Sequence, residues 1–172
     1  QRAHELSIAH TLKAQHYEDH LNAPGIARAM MFYLSCQNLP RHEALERIQA
    51  FLAEHPLEEE HDDALPMLEL MELQDDPQNP VPKIHFATLE EQYDVLARFL
   101  KRICHDRAAV LWLDDVHYSA YSLAFVEYML TMHPDGIPLL ILATSRSEDL
   151  EKDTRQAQLY ESLLQHQNVT QM

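Results

Sequence analysis

The apolar run VLWL at residues 110–113 ends in two adjacent carboxylates, Asp114 and Asp115, followed by Val116 and His117. Further along, the run PLLILA ends in Thr144, Ser145 and Arg146. Two acids and a guanidinium are the groups that handle phosphate. One carboxylate can hold Mg²⁺ through water, the second can orient or deprotonate an attacking water, and an arginine offsets phosphate charge. They meet only if the two runs are neighbouring parallel strands, because an open parallel sheet binds ligands beyond the carboxyl ends of its strands. The segments AAVLWLD and IPLLILAT are short and continuously apolar, as strands buried on both faces are, and LAFVEYML between them reads as a helix. A right-handed βαβ unit is therefore expected.

The elements upstream read mainly as helices. PGIARAMMFYL places Pro24 in a first turn and Ile26, Met30 and Tyr33 on one face, with Met31 and Phe32 also read as core. RHEALERIQAFLAEH aligns Leu45, Ile48 and Leu52 and stops at Pro56. Thr88 and Glu91 form a capping box, after which Leu89, Tyr93, Leu96, Leu100 and Ile103 follow a single stripe. DDALPMLELMEL reads as a short helix and QDDPQNPVP as a loop. SIAHTLKA alternates weakly and reads as a strand. A last helix is expected around Gln156–Gln165, with Leu159, Tyr160 and Leu163 inward, and QNVTQM as the opening of another strand.

VLWLDDVH, a helix, then PLLILATSR resembles the Walker B and sensor-1 segments of the AAA+/STAND class of P-loop signalling ATPases, bacterial regulators fused to cyclase, kinase or DNA-binding modules. KAQHYEDHLNAPGIARAMMFYL and LPMLELMEL are similar to the helices such proteins insert before Walker B, so the likeness runs from about Lys13 through most of the chain. The resemblance implies an α/β fold: a partial P-loop NTPase parallel sheet with a large helical insertion before the Walker B strand. Residues 1–172 would form one partial ATPase domain, with a strand and loop over 1–20, the helical insertion over 21–106 and the βαβ core over 107–172. ATP and Mg²⁺ are the implied cofactors of the intact domain. Asp114 would be the Mg²⁺-associated acid, acting through water; Asp115 the water-orienting acid; and Arg146 the sensor-1 residue facing the γ-phosphate. Thr144, Ser145 and His117 would contact the cofactor. The implied partners are the nucleotide, other domains of the same polypeptide and further copies in a homo-oligomer.

The sequence also departs from that pattern. The phosphate-binding G-x-x-x-x-G-K-[ST] is absent, and the only glycines are Gly25 and Gly136. The resemblance places that loop and the first strand upstream of Gln1, so that this segment alone binds nucleotide weakly or not at all. Where the class continues with W-A-D, this chain has Tyr118, Ser119 and Ala120.

Composition narrows the other classes. A net charge of −15, from 28 acidic residues against 13 Lys and Arg, repels a nucleic-acid backbone. Cys36 and Cys104 lack a C-x-x-C partner and suit free thiols in a reducing cytosol. No signal peptide is evident, and no apolar run reaches the ~18 residues of a membrane span, so a cytoplasmic protein without membrane contact is expected. Two rival readings remain: a non-catalytic helical module whose acidic surface meets a basic partner, and a metal site at His16 and His20, which share zinc-ligand spacing. EEEHDD at 58–63 reads as a solvated helix end. Cys104 and His105, adjacent on a helix, point apart and make no nucleophile pair.

Overall fold

The computed structural model describes residues 8–17, 25–133, 136–146 and 154–171. Three strands, β1 (His10–Gln15), β2 (Ala109–Asp114) and β3 (Leu139–Ala143), form a parallel sheet in the order β1-β2-β3. Among the described residues, four helices lie between β1 and β2: α1 (Gly25–Tyr33), α2 (Arg41–Glu54), α3 (Ala64–Leu70) and α4 (Leu89–Ile103). A fifth, α5 (Ala120–Met132), crosses from β2 to β3, and α6 (Thr154–Leu164) packs on α5. The chain is α/β, with the expected βαβ unit and the expected helical stretch before β2. No helix among the described residues is long and apolar enough to cross a membrane.

Strand periodicity sorts the sheet into two unlike faces. Leu12, Leu111 and Ile141 align in register, as do Ala14, Leu113 and Ala143. Leu111 and Leu113 are wholly buried, and each contributes roughly 1.5–3 kcal/mol of apolar transfer. The alternate rows, Thr11–Val110–Leu140 and Lys13–Trp112–Leu142, lie on the other face. Trp112, Leu140 and Leu142 are 37%, 55% and 38% exposed, which corrects the expectation of strands buried on both sides. The described helices cover only the Leu111–Leu113 face, and β1 and β3 are the edge strands among the described residues.

The helical layer follows its apolar stripes with shifts in phase. On α1, Ile26, Ala27, Ala29 and Met30 are buried, whereas Phe32 is 54% exposed, contrary to its reading as core. Two residues beyond Met30, a side chain has turned to the far side of the helix. On α2 the buried line is Ala44, Ile48 and Phe51, with Leu45 and Leu52 half-buried along its margin. On α4 the stripe is as expected from Tyr93 onward, but Leu89 in the first turn is exposed. Its capping box is offset: Thr88 Oγ1 accepts from the Glu91 N–H at 3.3 Å, while Glu91 Oε2 accepts from Ala87 rather than Thr88. Edge-on contacts of Tyr33 with Phe51 and Phe99 join α1, α2 and α4.

Two regions depart from expectation more sharply. Residues 167–171 form no strand; the Val169 N–H donates to His166 in a turn, and Gln171 bonds back to Tyr160 of α6. The acidic segment 58–63 is not helical. Glu58, Glu59, Glu60 and Asp62 are solvated, but Asp63 is only 1% exposed and sits between two arginines of α4. Arg98 Nε donates to Asp63 Oδ1 and Arg102 Nη2 to Oδ2, both at 2.8 Å, and Arg102 Nη1 reaches the His55 carbonyl. Buried Arg41 of α2 plays the same part nearby, pairing with Glu69 at 2.9 Å and Asp75 at 3.2 Å. Burial alone would raise the Asp63 pKa, but the two guanidinium hydrogen bonds outweigh it and hold the carboxyl low. Removing the carboxylate leaves the buried Arg102 cation without its anion, so Asp63→Ala is expected to cost about 3–5 kcal/mol in urea denaturation, with loss of helical signal.

Candidate functional site

The carboxyl edge of the sheet is organised around the point where β2 stops. Asp114 ends the strand, and Asp115 then adopts a left-handed conformation, φ 54° and ψ 45°, that turns the chain into a short 3₁₀ segment at Val116–Tyr118. Asp and Asn tolerate this region better than most non-glycine residues, at a cost of order 1–2 kcal/mol. Ser119 then caps α5, its Oγ accepting from the Ser122 N–H at 3.1 Å.

The end of β3 is locked to this turn. Thr144 donates its backbone N–H to Leu113 and accepts from the Val116 N–H, each at 2.9 Å. Its hydroxyl donates to Asp114 Oδ1 at 2.9 Å and accepts from the Asp115 N–H at 3.0 Å. The Arg146 N–H donates to His117 Nδ1 at 3.3 Å, which puts the His117 ring proton on Nε2. Thus Asp114, Asp115, His117, Thr144 and Arg146, named from sequence, meet at one edge. Arg146 is exposed, Ser145 half-buried and His117 buried against Tyr118. The Thr144 hydroxyl is engaged by both aspartates.

β1 clamps the same turn from the other side. The backbone N–H of His16 donates to the Asp114 carbonyl at 3.1 Å, and its ring Nδ1–H to the same oxygen at 2.8 Å. Its Nε2 accepts from the Ser122 hydroxyl at 2.8 Å, and Ser119 Oγ in turn donates to Ser122 Oγ at 3.1 Å. Both ring nitrogens are therefore committed within the protein, so His16 is not a zinc ligand; His20 and Pro24 lie outside the described residues. Gly25 makes room for this imidazole. A Cβ there would stand 2.6 Å from Nε2, and a ring held at both ends has little freedom to move aside. Cys104 is buried, its thiol pushed up to about 11 by burial, and supplies no nucleophile.

Lys13 and Trp112 complete the site on the uncovered face. Lys13 Nζ lies 2.9 Å from Asp114 Oδ2 and 4.2 Å from the centroid of the Trp112 ring. The hydrogen bonds from Lys13 and Thr144 hold the Asp114 carboxyl below the usual carboxylate range, so it is ionised at neutral pH. Among the described residues no group of three or more His, Cys, Asp or Glu could by itself hold a metal ion. One ionised carboxylate beside a second suits Mg²⁺ that keeps most of its waters and takes its remaining ligands from phosphate. The Lys13 ammonium already stands where such a cation would meet Asp114. Sequence reading missed Lys13, Ser122, Gly25 and the structural part of His16. The one available signal was that His16 closes a strand at the same end as Asp114, the end where parallel sheets place their sites.

No protein-family model matches this chain, and neither a curated protein nor a solved structure matches it. Its chemistry is therefore argued from the geometry of this edge.

Two tests follow from that geometry. Burial lowers the His16 pKa, against the pull of the Asp114 carbonyl and of the neighbouring carboxylates. The unfolded chain thus takes up this proton first: the contribution to stability is complete above the unfolded value of 6.5 and is lost as pH falls below it. The urea midpoint should drop more for the wild type than for His16→Gln between about pH 7.5 and about pH 5.5. At the turn, Asp115→Gly should be more stable than Asp115→Ala by about 1 kcal/mol in the same assay, because glycine takes the left-handed conformation without steric cost.

Proposed function

We propose that this chain carries the acidic part of an ATP-hydrolysing switch of the AAA+/STAND class, with Asp114, Asp115 and Arg146 facing the nucleotide. The observation that carries the reading is the Thr144 hydroxyl, shared between the Asp114 carboxylate and the Asp115 N–H, which joins the two strand ends that resemble Walker B and sensor 1. In this reading Asp114 holds Mg²⁺ through water, Asp115 orients the attacking water, and Arg146 meets the γ-phosphate, with Ser145 and His117 alongside. Bound ATP–Mg²⁺ supplies the phosphoryl group and the charge that offsets it. The left-handed backbone at Asp115 fits the part assigned to it, since strained conformations gather at sites where a side chain must be aimed.

The reading requires a phosphate-binding loop, and the sequence contains none. The edge of β3, where Leu140 and Leu142 are exposed, is where a further parallel strand carrying that loop would pair. Right-handed crossover from such a strand to β1 would lay its helix over Trp112 and Leu142, on the face the described helices leave open. Hydrolysis would then reset a conformational switch for other domains of a cytoplasmic polypeptide or for further copies in an oligomer.

A second reading rests on the solvated carboxylates Glu58, Glu59, Glu60 and Asp62, which would favour a basic protein partner. The two readings diverge on mutation. In the natural polypeptide, Asp115→Ala is expected to stop ATP turnover while leaving nucleotide affinity within about twofold, as measured by phosphate release and equilibrium binding. A folded polypeptide without affinity for ATP would sink the ATPase reading. Loss of partner binding on neutralising 58–62, with Asp115→Ala silent, would favour the second.

A further inference from the structure

We infer that Lys13 is the resident counter-ion of Asp114: its ammonium holds the carboxylate oxygen that a divalent cation, or the water linking it to the carboxylate, would take, and must leave that oxygen when the cation arrives. The inference rests on the reading of Asp114 as the Mg²⁺-associated acid. The two carboxylate oxygens are not equivalent. Oδ1 accepts from Thr144 at 2.9 Å as part of the brace between β2 and β3, whereas Oδ2 is met by Lys13 Nζ at 2.9 Å. The oxygen left over from the structural brace is therefore the one a cation would use, and a side chain from β1 already uses it.

Position and exposure make this contact exchangeable. Lys13 aligns with Trp112 in the parallel register, so its side chain rises on the uncovered face and reaches along β2 to the strand end. The Lys13 side chain is 44% exposed and that of Asp114 22%. An ion pair this open to water is weak and is displaced by a competitor that binds the same oxygen. It contrasts with the Asp63–Arg102 pair, 1% and 4% exposed, which is part of the core. The π-face of Trp112 already holds the ammonium, 4.2 Å from the ring centroid, and is the partner left to Lys13 once Asp114 is lost. Occupancy of the site is thus coupled to a movement of a β1 side chain across the sheet.

Trp112 is the only tryptophan, so its emission reports the ammonium above it. The test uses the purified chain in two assays: Mn²⁺ bound, counted by electron paramagnetic resonance, and Trp112 fluorescence during titration with MgCl₂ against NaCl of equal ionic strength. Lys13→Met is expected to bind Mn²⁺ about threefold more tightly than the wild type, the gain from removing one exposed ion-pair competitor. Lys13→Arg, whose planar fork grips a carboxylate better, should bind it more weakly than the wild type. Mg²⁺ should change the emission of the wild type and leave that of Lys13→Met unchanged.

Equal affinities for wild type, Lys13→Met and Lys13→Arg, with weaker binding in Asp114→Asn, would overturn the counter-ion role and leave Asp114 as the cation residue. A gain of the same size from Lys101→Met, on exposed α4 surface, would assign the effect to overall charge and likewise overturn it. Absence of any Asp114-dependent Mn²⁺ binding across the set would overturn the counter-ion role, whereas the reading of Asp114, in which phosphate supplies the remaining ligands, falls if the folded polypeptide has no affinity for ATP.

Discussion

Asp114 is the residue on which both flanking strands converge. Its carbonyl accepts two hydrogen bonds from His16 at the end of β1, one from the backbone and one from the ring. Its carboxylate accepts from Thr144, just past β3, and from Lys13, within β1. Through the other His16 ring nitrogen the same residue is linked to Ser122 and the first turn of α5. A carboxylate at the end of an apolar strand is costly to bury and cheap to solvate, so it stays at the sheet edge. Here its hydrogen-bonding capacity is spent on fixing that edge, and the adjacent Asp115 is aimed by a backbone that few residue types adopt.

The unequal covering of the sheet is the second constraint. Parallel sheets ordinarily bury both faces, because each crossover places a helix on one of them. In this chain the described crossovers cover the face of Leu111 and Leu113 and leave Trp112, Leu140 and Leu142 toward solvent. The site lies at the carboxyl end of the open face, since Asp114 follows Trp112 by two residues and points to the same side. The uncovered apolar rows and the charged site are therefore one continuous surface, and whatever covers the first bears on the second. The helical layer opposite is made rigid by its own ion pairs. Arg41 and Asp63, both nearly inaccessible, tie α2, α3 and α4 through partners on neighbouring segments.

The elements were largely legible because their signals are local. The stripe of α4, the shortness of α3, the proline-marked loop and the βαβ unit each follow from the spacing of apolar residues within one segment. The errors share a cause. Phe32 reads as core, and β2 and β3 as doubly buried, because hydrophobicity gives a side chain's preference and not the presence of something to cover it. Asp63 reads as solvated because its neighbours are; nothing local distinguishes it from Asp62, and only the approach of Arg98 and Arg102, 35 and 39 residues away, changes its environment.

By itself the sequence determined which groups stand at the ends of apolar runs, in what order, and that residues 1–172 hold no G-x-x-x-x-G-K-[ST] pattern. The acids, the threonine and the arginine could be placed at one edge from strand direction alone, since parallel neighbours end on the same side. Only the tertiary structure decided how those groups are held. His16 lies 98 residues from the carbonyl it clamps, and Gly25 matters through the space a histidine ring occupies, not through its own backbone. Lys13 meets Asp114 through sheet register, a quantity fixed by pairing between segments nearly 100 residues apart, with four described helices between them. Contacts of that range depend on the packing of everything between them, which no local pattern encodes.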